Sequence, residues 1–268
     1  MRQKKIMTKI RTVIEKEWAE VFKNKMVLFT VAFLPLILTA LPLITVASTN
    51  SFSTEEMTNN STPDAFFGEL CTGLNEMDCV NVYMLTLYVL LFMIMPVMIP
   101  VSIAAYSIVG EKTTRSLEPL LATPITTVEL LIGKMAAAVI PAIVVTWISF
   151  GIYLVGARLM VNDAVFARLL DPMWLLAIFV AGPLLALMAV SVAVMVSSRV
   201  NDPRVAEQLS GAVVLPIILL VVGQSFGFII ISQELILVIS GVVLVIDVIL
   251  LYFSNIAFSR ETILTRWK

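Results

Sequence analysis

Residues 110–134 read GEKTTRSLEPLLATPITTVELLIGK, a polar stretch with apolar runs of membrane length on both sides. Ser116 can act as the N-cap of a short helix. Glu118 in the first turn suits the positive helix end, and Pro119 lies where backbone donors are unpaired anyway. The helix has to end before Pro124, because the residue preceding a proline avoids the helical region. The stretch therefore predicts a helix of about two turns between two membrane spans.

This short helix, expected over residues 116–123, has one apolar face. Its leucines recur at helical spacing: Leu117, Leu120 and Leu121. Thr126 and Glu129 form a capping box, which predicts that a new helix begins there and continues into the third span. An amphipathic helix held between two spans at a charged end of the bundle is typical of a docking element.

These residues resemble the segment that follows the second span in ABC-2 type permeases, the membrane subunits of one class of ATP-binding-cassette exporters. In that family the corresponding coupling helix sits in a groove of the nucleotide-binding subunit and carries its movement into the membrane. The resemblance implies a set of residues that couple to the ATPase: Glu111, Arg115, Ser116, Leu117, Glu118, Pro119, Leu120 and Leu121.

A second polar loop, SSRVNDPRVAEQLSG at residues 197–211, follows the same pattern. Asp202 is expected to cap a helix that Pro203 begins. The loop resembles the second cytoplasmic loop of the same family, which makes Arg199, Asp202 and Arg204 candidates for a minor contact with the ATPase. A plain amphiphilic connection between two spans is the alternative.

The composition is that of an integral membrane protein, with 59% hydrophobic and 14% charged residues and a mean hydropathy of +0.99. The chain contains no histidine, which excludes the usual zinc sites and serine triads. Residues 110–113 lack the Gly-Lys pair and the earlier glycine of a phosphate-binding loop. We therefore expect no metal, no cofactor and no enzymatic activity in this chain, with ATP and magnesium held by a partner ATPase.

Six apolar runs match the roughly 20 residues that a helix needs to cross a bilayer. They lie near residues 26–48, 82–108, 134–157, 173–196, 211–231 and 235–258. The expected fold is all-α, with one six-span transmembrane domain over residues 26–268. Residues 1–25 are basic with apolar residues at helical spacing, which predicts an amphipathic helix in the headgroup layer. A solvated basic tail is the alternative.

Lysine and arginine positions predict the orientation. With the N-terminus inside, 16 of the 18 basic residues face the cytoplasm, and the external loop at residues 49–81 has six acids and no base. Both termini are therefore expected on the cytoplasmic side of the cell membrane. Cys71 and Cys79 lie on the oxidising side, which favours a disulfide over two free thiols.

Asp247 is the ionisable residue that lies well inside a span, where a charge is costly unless it faces protein or water. It is a candidate for a translocation path, with a structurally paired acid as the alternative. Gln224 is a second path candidate, and the neighbouring Gly223 and Gly227 are spaced for close helix packing. Prolines in five of the spans predict kinks.

The preferred hypothesis is the permease subunit of an ATP-driven exporter of a drug, peptide, lipid or ion. Six spans are half of the usual twelve, so the resemblance implies a second permease subunit, identical or different, with ATPase subunits at the cytoplasmic face. No nucleic-acid partner is expected. The alternatives are an ion-coupled carrier that uses Asp247, and an ABC membrane subunit that transmits force without moving cargo. An intramembrane enzyme is disfavoured, because no nucleophile with a base is apparent.

Overall fold

A computed structural model of the chain describes residues 2–49, 73–114, 125–229 and 231–257. The predicted coupling helix at residues 116–123, Cys71 and most of the external loop lie outside the described residues. The described part of the chain is helical and contains no strand. The helices are α1 (Arg2–Val21), α2 (Lys25–Thr49), α3 (Glu76–Phe92), α4 (Met95–Thr113), α5 (Thr127–Met160), α6 (Asp163–Leu169), α7 (Pro172–Leu176), α8 (Gly182–Ser197), α9 (Pro203–Gly211), α10 (Leu215–Ser225) and α11 (Gln233–Ala257).

Six helical stretches of the described residues are long and apolar enough to cross a bilayer, which confirms the predicted all-α, six-span fold. They are Val27–Ser48, Met77–Thr113, Thr127–Met160, Asp163–Ser197, Pro203–Ser225 and Gln233–Ile256. Several run past the predicted limits by a turn or more, because polar residues continue the helices beyond the apolar runs. The helix of the third span begins at the capping box, as the sequence predicts, and continues through Lys134 into the apolar run.

The second span, formed by α3 and α4, lies at the centre of the bundle and packs against α1, α2, α5, α8 and α9. Of its most apolar window, 72% is buried, compared with 22% for the fifth and sixth spans. The helix is interrupted at Met93 and Ile94, just before Pro96, whose missing N–H cannot continue the ladder of hydrogen bonds. A movement of α4 therefore changes the packing of most of the other helices.

Two other spans are also irregular next to a proline. A π-helical segment, Ala177–Ala181, joins α7 to α8 and precedes Pro183. A 3-10 turn, Ala212–Val214, joins α9 to α10 and precedes Pro216. In both places the backbone adjusts its hydrogen-bond spacing before the residue that cannot donate.

The fifth span ends earlier than the sequence predicts. Gly227 has a φ of 73° and terminates the helix after Ser225, so the predicted end of this span at residue 231 is wrong and the connection to α11 is longer than the three residues left between the predicted spans. A Cβ atom on Gly223 would lie 2.8 Å from Cδ1 of Ile229. The two glycines therefore close the helix end against its own following loop, and Gly227 lies outside the helix.

We use the term basic end for the end of the bundle that carries α1, the end of α4, the start of α5 and the connection from α8 to α9. Helix α1 packs mainly on α5 and also contacts α4. Val13 and Val21 of α1 are buried in this contact. A Cβ atom on Gly133 would lie 2.7 Å from Cγ1 of Val13, so α1 and α5 approach closely because residue 133 has no side chain. The N-terminal helix is thus part of the packed structure at the basic end.

Candidate functional site

The last turn of α4 and the first turn of α5 flank residues 115–124, the region in which the sequence predicts the coupling helix. The start of α5 is fixed by the predicted capping box. The Glu129 N–H donates to Thr126 Oγ1 at 3.2 Å, and the Thr126 N–H donates to Glu129 Oε2 at 2.8 Å. Glu129 also lies 3.3 Å from Lys9 Nζ, so α1 contacts this helix start directly.

Lys134 is a buried cation between two carboxylates from different helices. Its Nζ lies 2.7 Å from Glu17 Oε1 on α1 and 2.6 Å from Glu111 Oε2 on α4. The side chains of all three residues are at most 4% exposed. Lys134 also donates to Ser107 Oγ at 2.9 Å, and the Ser107 hydroxyl donates to the second oxygen of Glu17. One ammonium group therefore joins α1, α4 and α5.

Lys16 closes the cluster on its solvent side. Its Nζ pairs with Glu111 Oε1 and lies 3.8 Å from Glu17 and 3.6 Å from Glu20. Burial by itself would lower the pKa of Lys16, but the hydrogen bond and the charge of Glu111, with the charges of Glu17 and Glu20, raise it above the ordinary lysine value of 10.5. Lys16 is therefore fully protonated at neutral pH.

We call Lys16, Glu17, Ser107, Glu111 and Lys134 the basic-end cluster. The buried cation Lys134 and the half-buried cation Lys16 balance the two buried carboxylates, which is the condition under which charges are tolerated away from water. Breaking such a buried pair by removing one partner typically costs about 3–5 kcal/mol, because the other charge is left buried. A cleft of about 220 Å³ opens beside the cluster between α1 and α4.

Trp18 makes a further contact between α1 and α5. Its indole Nε1–H donates to the carbonyl oxygen of Ala137 at 2.9 Å. Ala137 lies four residues before Pro141, so its carbonyl has no helical donor, since proline carries no N–H. The indole of α1 supplies the hydrogen bond that the proline removes from α5.

The other side of the α4 terminus is joined to the second polar loop. Lys112 Nζ donates to the carbonyl oxygens of Ser198 and Val200 at 3.3 and 3.1 Å. Asp202 caps α9 by accepting from the Arg204 N–H at 2.8 Å, and Pro203 begins the helix, as predicted. Two consecutive residues thus attach the end of α4 to its neighbours. Glu111 contacts α1 and α5, and Lys112 contacts the connection from α8 to α9.

The predicted coupling residues fall into three groups. Seven of them lie outside the described residues: Arg115, Ser116, Leu117, Glu118, Pro119, Leu120 and Leu121. Arg199, Asp202 and Arg204 are exposed at the basic end. Glu111 is buried in the cluster rather than exposed on a charged rim, so in this structure it reaches the flanking helices through Lys134 and Lys16.

The sequence analysis does not identify four of the site residues: Lys16, Glu17, Ser107 and Lys134. The sequence analysis uses Lys134 only as one of the basic residues that predict the orientation. The available signal was the position of Glu17, which lies four residues from Val13 and four from Val21 on the buried stripe of α1. An acid on an apolar stripe predicts a buried partner.

The two intramembrane candidates lie at different depths. Gln224 is buried in the last turn of α10, near the end of the bundle opposite to the basic end. Asp247 is buried roughly 20 Å along α11 from Gln233. The structure does not bring the two together. Cys79 is buried and is not a free thiol, but its predicted partner Cys71 lies outside the described residues, so the pairing stays a prediction.

Residues 11–264 match the family model described as ABC-2 family transporter protein. No curated protein matches the chain. The matched region includes the α1 residues of the basic-end cluster together with all six span-length helices.

Proposed function

Because this chain belongs to the ABC-2 family of transporter proteins, the membrane components of ABC systems, we propose that it is the permease subunit of an ATP-driven exporter. In this proposal the ATP is hydrolysed by separate ATPase subunits, which hold the nucleotide and magnesium. The observation that carries the proposal is the basic-end cluster, which joins α1 to both helix ends that flank residues 115–124.

The basic end faces the cytoplasm and receives the ATPase subunits. Leu117, Leu120 and Leu121 present the apolar face of the coupling helix to the ATPase, with Arg115 and Glu118 beside it. The exposed side chains of Arg199, Asp202 and Arg204 form the second, smaller contact. A second permease subunit in the same bilayer completes the twelve spans of the transporter.

Closure of the ATPase subunits on ATP pushes the coupling helix, and its two flanking helix ends move with it. Because Lys134 Nζ lies within 2.7 Å of a carboxylate oxygen of Glu17 and of Glu111, α1, α4 and α5 move as one unit. Lys112 passes the displacement of α4 to the connection between α8 and α9. Since the second span is the most buried of the six, its displacement changes the packing of the other spans and switches the path from inward-open to outward-open.

The test is a charge reversal in the coupling helix, Glu118→Lys, with the permease reconstituted together with its ATPase. We expect loss of permease-stimulated ATP hydrolysis and of transport, while membrane insertion and the elution profile of the purified permease stay normal. Asp163→Lys is the matched control, because Asp163 is exposed at the opposite end and carries the same charge change. Unchanged ATPase stimulation by Glu118→Lys would refute the proposed coupling site.

One observation supports a second candidate function, an ion-coupled carrier. Asp247 is 4% exposed, and among the described residues neither of its carboxylate oxygens has a hydrogen-bond partner. A buried acid of this kind is typical of a coupling-ion site. Transport by the purified chain in liposomes that contain no ATPase, driven by an ion gradient, would decide for the carrier and against the exporter.

A further inference from the structure

Three spans have an irregular backbone segment, and the three segments follow one pattern. They are the interruption at Met93 and Ile94 in the second span, the π-helical segment Ala177–Ala181 in the fourth and the 3-10 turn Ala212–Val214 in the fifth. Each segment ends two residues before a proline, which cannot donate a helical hydrogen bond. We call the three segments together the irregular layer.

Contacts between the spans place the three segments beside one another. A Cβ atom on Gly182, the residue after the π-helical segment, would lie 3.8 Å from Cγ of Pro96. A Cβ atom on Gly211, the residue before the 3-10 turn, would lie 3.9 Å from Sδ of Met98. Both are ordinary van der Waals distances. The first turn of α4 therefore touches the fourth and the fifth span where their helices are irregular.

An apolar cavity of about 330 Å³ is lined by residues from all three segments. They include Met93 from the second span, Ala177 and Ala181 from the fourth and Val213 from the fifth. Protein interiors are otherwise close-packed and transmit strain, so space at this place gives the three helices room to change their angles. Apolar contacts are also non-directional, and they do not fix one angle between helices as hydrogen bonds do.

The irregular form of the fourth span is satisfied by a side chain rather than by its own helix. The Gly182 N–H donates to the carbonyl of Ala177, five residues back, and Pro183 has no N–H. The carbonyl of Ile178 instead accepts from Trp147 Nε1–H on α5 at 3.3 Å. The π-helical segment is thus a stable part of the fold, and such segments are frequent at functional sites.

Polar contacts hold the helices together on the outer side of the irregular layer, at the end of the bundle opposite to the basic end. The Tyr83 hydroxyl donates to the carbonyl of Ser225, which joins α3 to the end of α10 at 3.3 Å. The Tyr153 hydroxyl donates to the carbonyl of Leu85, which joins α5 to α3 at 3.4 Å. The outer half of the second span is therefore attached to the third and fifth spans.

A different set of polar contacts holds the helices on the basic-end side of the layer. The basic-end cluster joins α4 to α1 and α5, and Lys112 joins it to the connection from α8 to α9. The Ser102 hydroxyl donates to the carboxylate of Glu207, which joins α4 to α9. The two halves of the second span, α3 and α4, are thus each fixed to their neighbours, and the interruption lies between them.

We propose that the irregular layer is a hinge at which the second, fourth and fifth spans bend, so that the basic-end side of the bundle tilts relative to the outer side. Hinges consist of a few residues at the ends of rigid elements, and helices bend at prolines and π-helical turns. The third and sixth spans are continuous helices that pass the layer and tilt as whole helices.

The inference rests on the proposed function in that it states how a displacement of α4 continues into the spans. As a property of the fold it is tested on the chain alone, without the ATPase. The failure of the hinge and the failure of the coupling proposal are therefore separate results.

The test measures distance distributions between two spin labels by double electron–electron resonance on the purified chain in lipid nanodiscs. The labels are attached to cysteines at exposed positions, and the parent chain without these cysteines gives the background. Gln208→Cys with Ala164→Cys is the pair that lies across the layer. Lys23→Cys with Gln208→Cys, and Ala164→Cys with Glu234→Cys, are pairs on one side of it. We expect the distribution across the layer to be roughly twice as wide as the other two, because a hinge adds movement only between the two sides.

Two changes in the layer should narrow this distribution to the width of the others. Pro96→Ala combined with Pro183→Ala gives both interrupted helices an N–H donor. Ala181→Leu places a larger side chain in the cavity. Pro42→Ala is the matched control, because it makes the same chemical change in α2, which is continuous, and it should leave the width unchanged.

Equal widths for the three label pairs in the chain without these changes would overturn the proposal. An unchanged width across the layer in both the double proline variant and Ala181→Leu would also overturn it, and would indicate that the movement arises elsewhere in the bundle. Equal narrowing by Pro42→Ala would overturn it as well, since the effect would then not depend on the layer. The elution profile of each variant, compared with that of Pro42→Ala, separates a stiffer fold from a lost one.

Discussion

Replacing Lys134 by Met removes the central charge of the basic-end cluster and keeps most of the apolar stem. The side chain of Lys134 is 2% exposed, and its Nζ lies within 2.7 Å of both Glu17 and Glu111. In the variant two carboxylates remain in a buried site that has lost its buried cation. The substitution therefore tests whether the cluster stabilises the basic end.

The loss in the free energy of unfolding depends on the partners that the two carboxylates retain in the variant. Glu111 retains Lys16, and Glu17 retains the Ser107 hydroxyl, so the loss falls at the lower end of the range for broken buried pairs, about 3 kcal/mol. This corresponds to a change of more than a hundredfold in the unfolding equilibrium. The exposed pair of Arg11 and Glu15, whose side chains are 80% and 58% exposed, provides the control. Arg11→Gln should cost at most about 0.5 kcal/mol.

The assay has two parts, unfolding of the purified permease in mixed micelles and ATPase stimulation after reconstitution. Lys134→Met should lower both the free energy of unfolding and the stimulation of the ATPase. Arg11→Gln should lower neither. The triple variant Glu17→Leu, Glu111→Leu, Lys134→Leu should regain the stability, because apolar replacement of a buried ion triad is often neutral or stabilising, and Lys16, whose side chain is 32% exposed, keeps Glu20 as a partner. We expect it to remain poor in ATPase stimulation, since apolar contacts do not fix the relative positions of α1, α4 and α5 as directional ion pairs do.

Two results would refute this reasoning. If Lys134→Met is as stable as Arg11→Gln, the buried pairs contribute little and the ammonium is satisfied in another way. If the triple variant stimulates the ATPase as well as the wild-type chain, the cluster serves only the stability of the fold and has no part in transmission.

Two further predictions concern α1. Trp18→Phe should cost about 1–3 kcal/mol, because it orphans the carbonyl that Pro141 leaves without a helical donor. The same change in a Pro141→Ala background should cost much less, since the alanine N–H then satisfies that carbonyl; a double-mutant cycle by chemical unfolding measures the difference, and equal costs in the two backgrounds would contradict it. For Lys16, the pKa is raised above 10.5 in the folded chain, so its contribution is fully present below that value and is lost as the pH rises through the folded-state pKa. The difference in melting temperature between the wild-type chain and Lys16→Gln should therefore stay constant from pH 7 to about pH 10 and shrink above pH 10.5, whereas a difference that disappears near neutral pH would contradict the assignment.

The features predicted correctly from the sequence depend on local rules. Span number follows from apolar length, and the starts of α5 and α9 follow from capping residues a few positions apart, Thr126 with Glu129 and Asp202 with Pro203. The sequence does not predict the end of the fifth span, because Gly223 and Gly227 also fit a helix-packing pattern; in the structure Gly227 is in the left-handed region and ends the helix.

The basic-end cluster depends on residues far apart in the chain, and a single sequence does not specify such pairs. Glu17 and Lys134 are separated by 117 positions, and Lys16 and Glu111 by 95. The charge counts that predict orientation treat each lysine as exposed to solvent, so they hide the fact that Lys134 is buried. The burial of Glu111 follows from the docking of α1 on α4 and α5, which the amphipathic pattern of α1 does not predict.

Glu111 and Lys112 are consecutive, and their attachments are on different sides of the same helix end. Successive residues of an α-helix are rotated by about 100° around the axis. The insertion or deletion of one residue in the last two turns of α4 would therefore turn both side chains away from their partners in a single step. This part of the chain is therefore constrained in length as well as in composition. The fold specifies its helical register relative to the rest of the second span.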